Sequence, residues 1–234
     1  TYRVAKKIVT MFGWTVDKMT IWKSVQKTAS EIDFKVDGKE LPQGEADGTG
    51  IGIKGIAKRG KELKVFVQCK RSGGVRIAGI DVGNYNGGWK KLFENSLEVL
   101  KGFRRFLLIT DGDTSILEGL KDTVKVLIQR CLWHIPYQAK YVLWQDGVKH
   151  KSAEWLQVMS ELMEICAIRP LVDCEKTIKK MIESKRKRLE SVIQYCLSKG
   201  YTHTASYLEN AVPDMFTAIE KRLKGKTTRK VERV

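Results

Sequence analysis

The sequence predicts a mixed α/β fold built on one five-stranded sheet, in which three antiparallel strands are followed by two parallel strands. The first three strands are predicted because apolar and polar side chains alternate over residues 47–54, 63–70 and 76–82, with glycine-containing connections between them. The last two are predicted because residues 106–109 and 124–129 are predominantly apolar and alternate with helical patterns, as parallel strands buried on both faces do.

The first 37 residues are predicted to form a helix-turn-helix segment. Apolar residues recur at helical spacing over 2–12, and Gly13 occupies a position typical of a helix C-terminus. A second helix follows Asp17, which is a favourable N-cap residue. Its outward polar side chains are Lys18, Thr20, Lys23 and Lys27. The pattern fits a DNA-reading helix pair and an ordinary helical hairpin equally well.

Helices are also predicted between and after the strands. Apolar residues recur at helical spacing between positions 89 and 100 and around 116–123, and from about residue 134 the pattern is helical with no further strand. Pro213 is predicted to open the last helix, in whose first turn its missing N–H is tolerated. The predicted boundaries are a helix-turn-helix segment at 1–37, a linker at 38–44, a sheet core at 45–150, an all-helical insertion at 151–212 and a C-terminal helix at 213–234.

The composition predicts a soluble globular protein and favours a polyanionic partner. Hydrophobic residues make up 42% of the chain, enough for a core, yet no apolar run approaches the ~18 residues of a membrane span. The 43 Lys+Arg against 27 Asp+Glu give a net charge of +16, which fits an ordinary basic surface or a partner rich in phosphates. Basic residues concentrated in the C-terminal quarter favour nucleic acid. Five scattered cysteines without a Cys-x-x-Cys pair favour a reducing cytosol.

Asp47 and Asp111 are the candidate reactive pair. Asp47 lies in the first predicted strand, and Asp111 follows the carboxyl end of a buried strand, where α/β sheets bind ligands. In a ribonuclease-H-like sheet, the fourth strand lies beside the first and makes these carboxylates neighbours. Close carboxylates repel unless a cation bridges them, and Mg²⁺ or Mn²⁺ prefer such oxygen ligands. The alternative is that Asp111 caps the next helix and Asp47 lies in a turn.

A third carboxylate is expected from the far side of the helical region. Glu232 is the candidate because it lies in a basic, helical-looking segment, 227–234. Pattern alone leaves three alternatives open: Glu190, Glu209 and Glu220.

A Cys-x-x-His motif, Cys131 and His134, closes the last strand. It is half of a possible zinc site, but no second pair stands at finger-like spacing, so a local packing or hydrogen-bonding role is favoured. Aromatic residues at three- to four-residue spacing follow it and are predicted to pack in the core rather than to stack on bases: Trp133, Tyr137, Tyr141 and Trp144.

One glycine motif is not expected to bind a dinucleotide. Gly50-x-Gly52-x-x-Gly55 matches a dinucleotide-binding string, but a strand rather than a helix follows it and no acidic residue stands about 20 positions onward. These glycines are predicted to thin a strand where backbone or substrate approaches closely.

Taken in order, the motifs resemble those of Mutator-like DDE transposases of prokaryotic insertion sequences. The matching features are Asp47-Gly48-Thr49, Thr110-Asp111-Gly112 after an apolar strand, Cys131-x-x-His134, and Thr227-Thr228-x-x-Val231-Glu232. Thr228 stands where that family usually has Asn. The resemblance spans essentially the whole chain.

The resemblance implies a ribonuclease-H-like catalytic core in which Asp47, Asp111 and Glu232 hold two Mg²⁺ or Mn²⁺ ions, with the C-terminal helix completing that core. It implies cleavage of transposon ends and strand transfer into target DNA, double-stranded DNA as partner, a homo-oligomer on DNA, no membrane, and a prokaryotic, nucleoid-associated location. Further DNA contacts are expected from Lys70, Arg71, Lys185, Arg186, Lys187, Arg188, Arg229, Lys230 and Arg233.

Two alternatives to an active transposase stay open. The chain starts at Thr1 and stops two residues after Glu232, so an inactive DNA-binding fragment is one expectation. A ribonuclease-H-like nuclease, which cuts DNA without joining ends, is the other.

Overall fold

The computed structural model describes residues 2–11, 13, 16–51, 61–84, 88–113, 115–116, 119–120, 126–168, 175–223 and 227–228. The chain divides into two compact units, Thr1–Phe34 and Lys35–Val234, which are treated separately below. No helix in the described part of the chain is both long and apolar enough to cross a membrane.

The first unit contains two helices joined by a short connection, as predicted. They are α1 (Tyr2–Met11) and α2 (Lys18–Glu31). Gly13 adopts a φ of +81°, the left-handed conformation that glycine tolerates after a helix. Asp17 caps α2, since its carboxylate accepts a hydrogen bond of 2.9 Å from the Met19 N–H.

The second unit is built on a mixed five-stranded sheet, which confirms the predicted fold class. The strands are β1 (Gln43–Ile51), β2 (Lys61–Cys69), β3 (Val75–Gly83), β4 (Phe106–Thr110) and β5 (Val126–Arg130). Their order is β3-β2-β1-β4-β5; β1 to β3 pair antiparallel, and β1, β4 and β5 pair parallel. This arrangement is compatible with a ribonuclease-H-like fold.

The first strand begins earlier than predicted. The glycines and proline of 38–44 indicated a linker, but β1 starts at Gln43 and includes Gly44. A Cβ on Gly44 would stand 2.6 Å from the Phe66 ring and 2.7 Å from the Val67 carbonyl oxygen, so its glycine serves close packing within the sheet. Gly50 also lies within β1, opposite Glu62 of β2, whereas Gly52 and Gly55 fall outside the described residues.

Helices follow the meander and the last strand. They are α3 (Trp89–Phe93), α4 (Leu97–Lys101), α5 (His134–Gln145), α6 (Ala153–Cys166), α7 (Glu175–Ser198), α8 (Thr202–Ala211) and α9 (Thr217–Glu220), with a 3₁₀ turn at Glu94–Ser96. The described residues contain no strand after Arg130, as predicted. The helix expected around 116–123 lies largely outside the described residues.

Pro213 does not open a helix. It lies in the turn of residues 212–216 between α8 and α9, and α9 begins only at Thr217. The Asp214 and Met215 N–H groups still donate to the Ala211 carbonyl, so the turn continues directly from α8. A residue without an N–H is tolerated in such a turn as well as in a first helical turn, which is why the prediction was wrong.

Hydrophobic residues form three clusters in the second unit. One face of the sheet buries aromatic side chains, with Phe66 packed edge-on against Phe93 and Phe106. Helices α5 to α8 form a separate, larger core. The opposite face of the sheet carries a small cluster of buried residues: Leu107, Ile109, Cys131 and Ala218. This small cluster borders the candidate site.

Two residues of β5 tie the sheet to the segment around α9. The Gln129 amide donates to the Met215 carbonyl at 2.7 Å and accepts from the Ala218 N–H at 2.8 Å. The Arg130 guanidinium forms a two-pronged ion pair with Asp214, at 2.8 and 3.1 Å. These four hydrogen bonds fix the end of β5, immediately before the Cys-x-x-His motif.

Candidate functional site

The sheet register brings Asp47 and Asp111 to neighbouring positions. Glu45 of β1 pairs with Ile109 of β4. Asp47 lies two residues after Glu45, and Asp111 lies two residues after Ile109. The pairing ends at Glu45 and Ile109, and Asp111 follows Thr110, the last residue of β4. Both aspartates are half-buried. The segments that carry the two aspartates therefore lie side by side near the end of β4.

Local hydrogen bonds distinguish Asp111 from the next aspartate. Asp111 accepts from the Asp113 N–H at 3.0 Å, whereas Asp113 accepts from the Ser115 N–H and hydroxyl at 2.8 and 2.7 Å. Asp113 also accepts from the Trp89 indole N–H at 3.2 Å. Asp47 lies inside β1 and not in a turn.

The loop that carries Asp111 is shaped by Gly112 and Arg130. Gly112 has a φ of +101°, and a Cβ there would lie 2.2 Å from a guanidinium nitrogen of Arg130. That guanidinium cannot easily move away, because it is paired with Asp214 and also donates to the Asn210 carbonyl at 2.9 Å. Sequence reasoning missed Arg130, whose partners lie 80 or more positions later in the chain.

The Cys-x-x-His motif forms a hydrogen-bonded cluster with Thr228. The Thr228 N–H donates to the Cys131 sulfur at 3.3 Å, its hydroxyl lies 3.5 Å from that sulfur, and the same hydroxyl is 3.4 Å from His134 Nδ1. Thr228 is buried and was not singled out as a site residue from sequence. It stands at the position where the resembling family usually carries Asn, four residues before Glu232.

The acids and the motif share one electrostatic environment. Burial alone would lower the pKa of His134, but the Cys131 side chain and the charges of Asp47 and Asp111 raise it above the usual value. Burial alone would raise the pKa of the Cys131 thiol, but hydrogen bonds from His134 and Thr228 lower it. His134 is therefore close enough to both carboxylates to respond to their charge.

The described contacts show the Cys-x-x-His motif in a hydrogen-bonding role. Within the described ranges there is no group of three or more His, Cys, Asp or Glu side chains arranged to hold a metal ion. Thr228, which is not a usual zinc ligand, contacts both members of the motif.

The candidates for a third carboxylate are not brought to this cluster by any described contact. Glu232 falls outside the described residues. Glu220 accepts a hydrogen bond of 2.8 Å from Arg186, and Glu190 and Glu209 are exposed on α7 and α8.

The predicted DNA-contacting residues are dispersed. Lys23, Lys27 and Thr20 are exposed on α2; Lys18 begins that helix. Arg71 is exposed and donates to the Lys39 carbonyl at 2.8 Å, while Lys70 is half-buried. Arg229, Lys230 and Arg233 lie outside the described residues.

Three members of the basic run at 185–188 are engaged within the protein. Lys185 donates to the Glu164 carbonyl, Arg186 pairs with Glu220, and Arg188 pairs with Glu161. Lys187 is exposed. A contiguous charge run on a helix distributes its side chains around the helix axis, so only part of it can face one partner.

The aromatic residues after Cys131 are not core residues, contrary to prediction. Their exposed fractions are 52% for Trp133, 37% for Tyr137, 48% for Tyr141 and 75% for Trp144. Helix α5 instead buries Ile135, Ala139 and Leu143. Two stripes of three- to four-residue spacing occur on this helix, and the aliphatic stripe is the one that packs.

The comparisons with known proteins found no match that bears on the candidate site. No protein-family model and no curated protein matches the chain. The class that fold and site define is an α/β protein with a mixed sheet in the order 3-2-1-4-5 and two carboxylates at adjacent strands.

Proposed function

We propose that the protein is a metal-dependent DNA transposase of the DDE type, which cleaves DNA and joins the freed end to a target. The observation that supports the proposal is the pairing of β1 with β4, which brings the segments that carry Asp47 and Asp111 together near the end of β4. The net charge of +16 supports a polyanionic substrate.

The chemistry of the donors would suit a hard divalent cation, although the described residues alone contain no group of three or more such ligands. Asp47 and Asp111 offer carboxylate oxygens from two strands, and Glu232 would add a third acid from the segment that follows Thr228. Bound there, Mg²⁺ or Mn²⁺ supplies a water of lowered pKa and neutralises charge on the reacting phosphate.

The remaining residues position and balance these acids. Gly112 and Arg130 hold the Asp111 loop, and Thr228 contacts both Cys131 and His134. The Cys131 side chain, together with the charges of Asp47 and Asp111, raises the pKa of His134. Exposed lysines on α2 would contact DNA phosphates and contribute affinity.

The test is nicking of supercoiled plasmid DNA by the full chain with Mg²⁺ or Mn²⁺, together with joining of an oligonucleotide 3′ end to that plasmid. Asp47→Asn and Asp111→Asn are each expected to reduce both activities by about a hundredfold or more, since each removes a charged ligand. Asp81→Asn, which changes a half-buried carboxylate of the edge strand β3, is the matched control and should retain activity.

The outcomes separate the alternatives. If Asp111→Asn nicks DNA like the parent, the carboxylate site is wrong. Cation-dependent nicking without joining identifies a ribonuclease-H-like nuclease instead. Salt-dependent DNA binding with no nicking by the parent protein indicates a DNA-binding protein without catalysis.

A further inference from the structure

Four exposed aromatic residues lie along helix α5 and at the residue that precedes it. Trp133, Tyr137 and Tyr141 follow one another at intervals of four residues, and Trp144 continues the row three residues on; we call these four residues the aromatic stripe. All four are at least 37% exposed, and Trp144 is 75% exposed. Large aromatic side chains bury well, so an exposed row of four on one helix calls for a function.

The rings of the stripe hold one another in place. Trp133 stacks on Tyr137 with ring centroids 4.9 Å apart and planes 17° apart, and Tyr137 meets Tyr141 edge-on at 5.6 Å. Lys140 lies over the Tyr137 ring at 3.8 Å and also faces Tyr141 at 5.2 Å. The stripe therefore combines ordered π faces with a positive charge.

The stripe begins at the candidate site. The Trp133 ring is 5.0 Å from the His134 ring, and Tyr137 is 6.2 Å from it, both edge-on. His134 in turn responds to the charges of Asp47 and Asp111. A polymer that extended from these carboxylates along α5 would meet the four rings in succession.

We infer that the aromatic stripe binds a single-stranded DNA segment by stacking on its unpaired bases. Exposed aromatic rings interleaved with a cation are the elements that bind single strands, because every base offers a π face and every phosphate a negative charge. In a duplex the base faces are covered by their neighbours, so the stripe selects unpaired nucleotides beside the bond to be cut. This inference rests on the proposed function and adds an unpaired strand as the form of substrate.

The test compares two oligomers of about 20 nucleotides, oligothymidylate and an abasic strand of the same length, which share phosphates and differ only in bases. Binding to the full chain is measured without divalent cations, by fluorescence anisotropy at several salt concentrations. The parent protein is expected to prefer oligothymidylate by about tenfold. The double variant Tyr141→Ala, Trp144→Ala is expected to lose at least about threefold of that preference while its salt dependence stays unchanged, since no charge is removed.

Two further variants serve as controls for this experiment. The double variant Tyr141→Phe, Trp144→Phe keeps aromatic rings and should retain most of the preference. Leu156→Ala removes an exposed apolar side chain of α6, 53% exposed, and should change nothing. Circular dichroism and thermal unfolding of each variant verify that the fold is kept.

Three results overturn the inference. The first is equal affinity of the parent for both oligomers, or no binding to either. The second is an unchanged base preference in the alanine variant. The third is an alanine variant that keeps its base preference but changes its oligomeric state, as measured by sedimentation. That result would mean that the stripe is a contact between copies of the chain. Each of these leaves Asp111-dependent nicking untouched, so it can be told apart from failure of the proposed function.

Discussion

Gly112 combines two demands that a side chain cannot meet. Its φ of +101° disfavours any L-residue, and its Cβ position is filled by the Arg130 guanidinium. Gly73, in the turn between β2 and β3, has a similar φ of +97° but open space at its Cβ position. We expect Gly112→Ala to lose about 2 kcal/mol more unfolding free energy than Gly73→Ala in urea denaturation. Equal losses would show that Arg130 does not constrain the Asp111 loop.

The pKa of His134 can be used to probe the charges of Asp47 and Asp111 without an activity assay. Burial alone lowers the pKa of His134, but Cys131, Asp47 and Asp111 raise it. Asp111→Asn removes one negative charge, so the pKa of His134 is expected to fall, as followed by NMR of its imidazole protons against pH. Mg²⁺ bound by the carboxylates should lower it in the parent protein for the same reason.

The control for this titration is Asp81→Asn, which should leave the pKa of His134 unchanged. The chain has three histidines, so the resonances of His150 and His203 serve as internal references. A pKa of His134 that ignores both the Asp111 substitution and Mg²⁺ would separate the histidine from the proposed metal site.

Strand β5 depends on its ion pair with the turn before α9. The Arg130 and Asp214 side chains are only 8% and 20% exposed, so Arg130→Met leaves a poorly solvated carboxylate and breaks the bond to the Asn210 carbonyl. We expect a loss of about 3–5 kcal/mol in unfolding free energy by urea denaturation. Arg188→Met, which breaks the pair with Glu161 at 41% exposure of both side chains, should cost about 1 kcal/mol or less. Similar losses would contradict the role given to Arg130.

The strands of the sheet could be predicted from sequence because antiparallel and buried parallel strands have different patterns of apolar residues. Alternation marked β1 to β3, and the predominantly apolar runs marked the buried parallel strands β4 and β5. The proximity of the segments that carry Asp47 and Asp111 then followed from one assumption, that β4 lies beside β1.

Contacts between distant segments could not be predicted in the same way. Thr228 reaches Cys131 across 97 positions, and no local period encodes such a contact. The exposure of the aromatic stripe was also hidden, because its spacing on α5 matches that of the buried stripe of Ile135, Ala139 and Leu143. Spacing identifies a helix face but does not say which of two faces meets the core.

Some basic residues of the chain form ion pairs within the protein, and others are exposed on its surface. Arg130, Arg186 and Arg188 are paired with carboxylates of the protein, although Arg186 and Arg188 belong to the basic run at 185–188. Lys23 and Lys27 are exposed on α2 of the first unit. The net charge therefore overstates the charge available to a polyanionic partner, and under the proposed function the location of the exposed lysines would set the affinity for DNA.

A charge-matched pair of variants tests whether α2 is the DNA-contacting helix. Lys23 and Lys27 are four positions apart, so they share one face of α2. If both contact phosphates, the double variant Lys23→Ala, Lys27→Ala should lower the slope of log affinity against log salt by about 1.8. Lys176→Ala, Lys180→Ala makes the same charge change at the same spacing on α7, where both lysines are exposed, and should leave the slope nearly unchanged. Equal effects of the two pairs would mean that DNA senses the overall charge of the protein, and the helix pair would then be an ordinary hairpin.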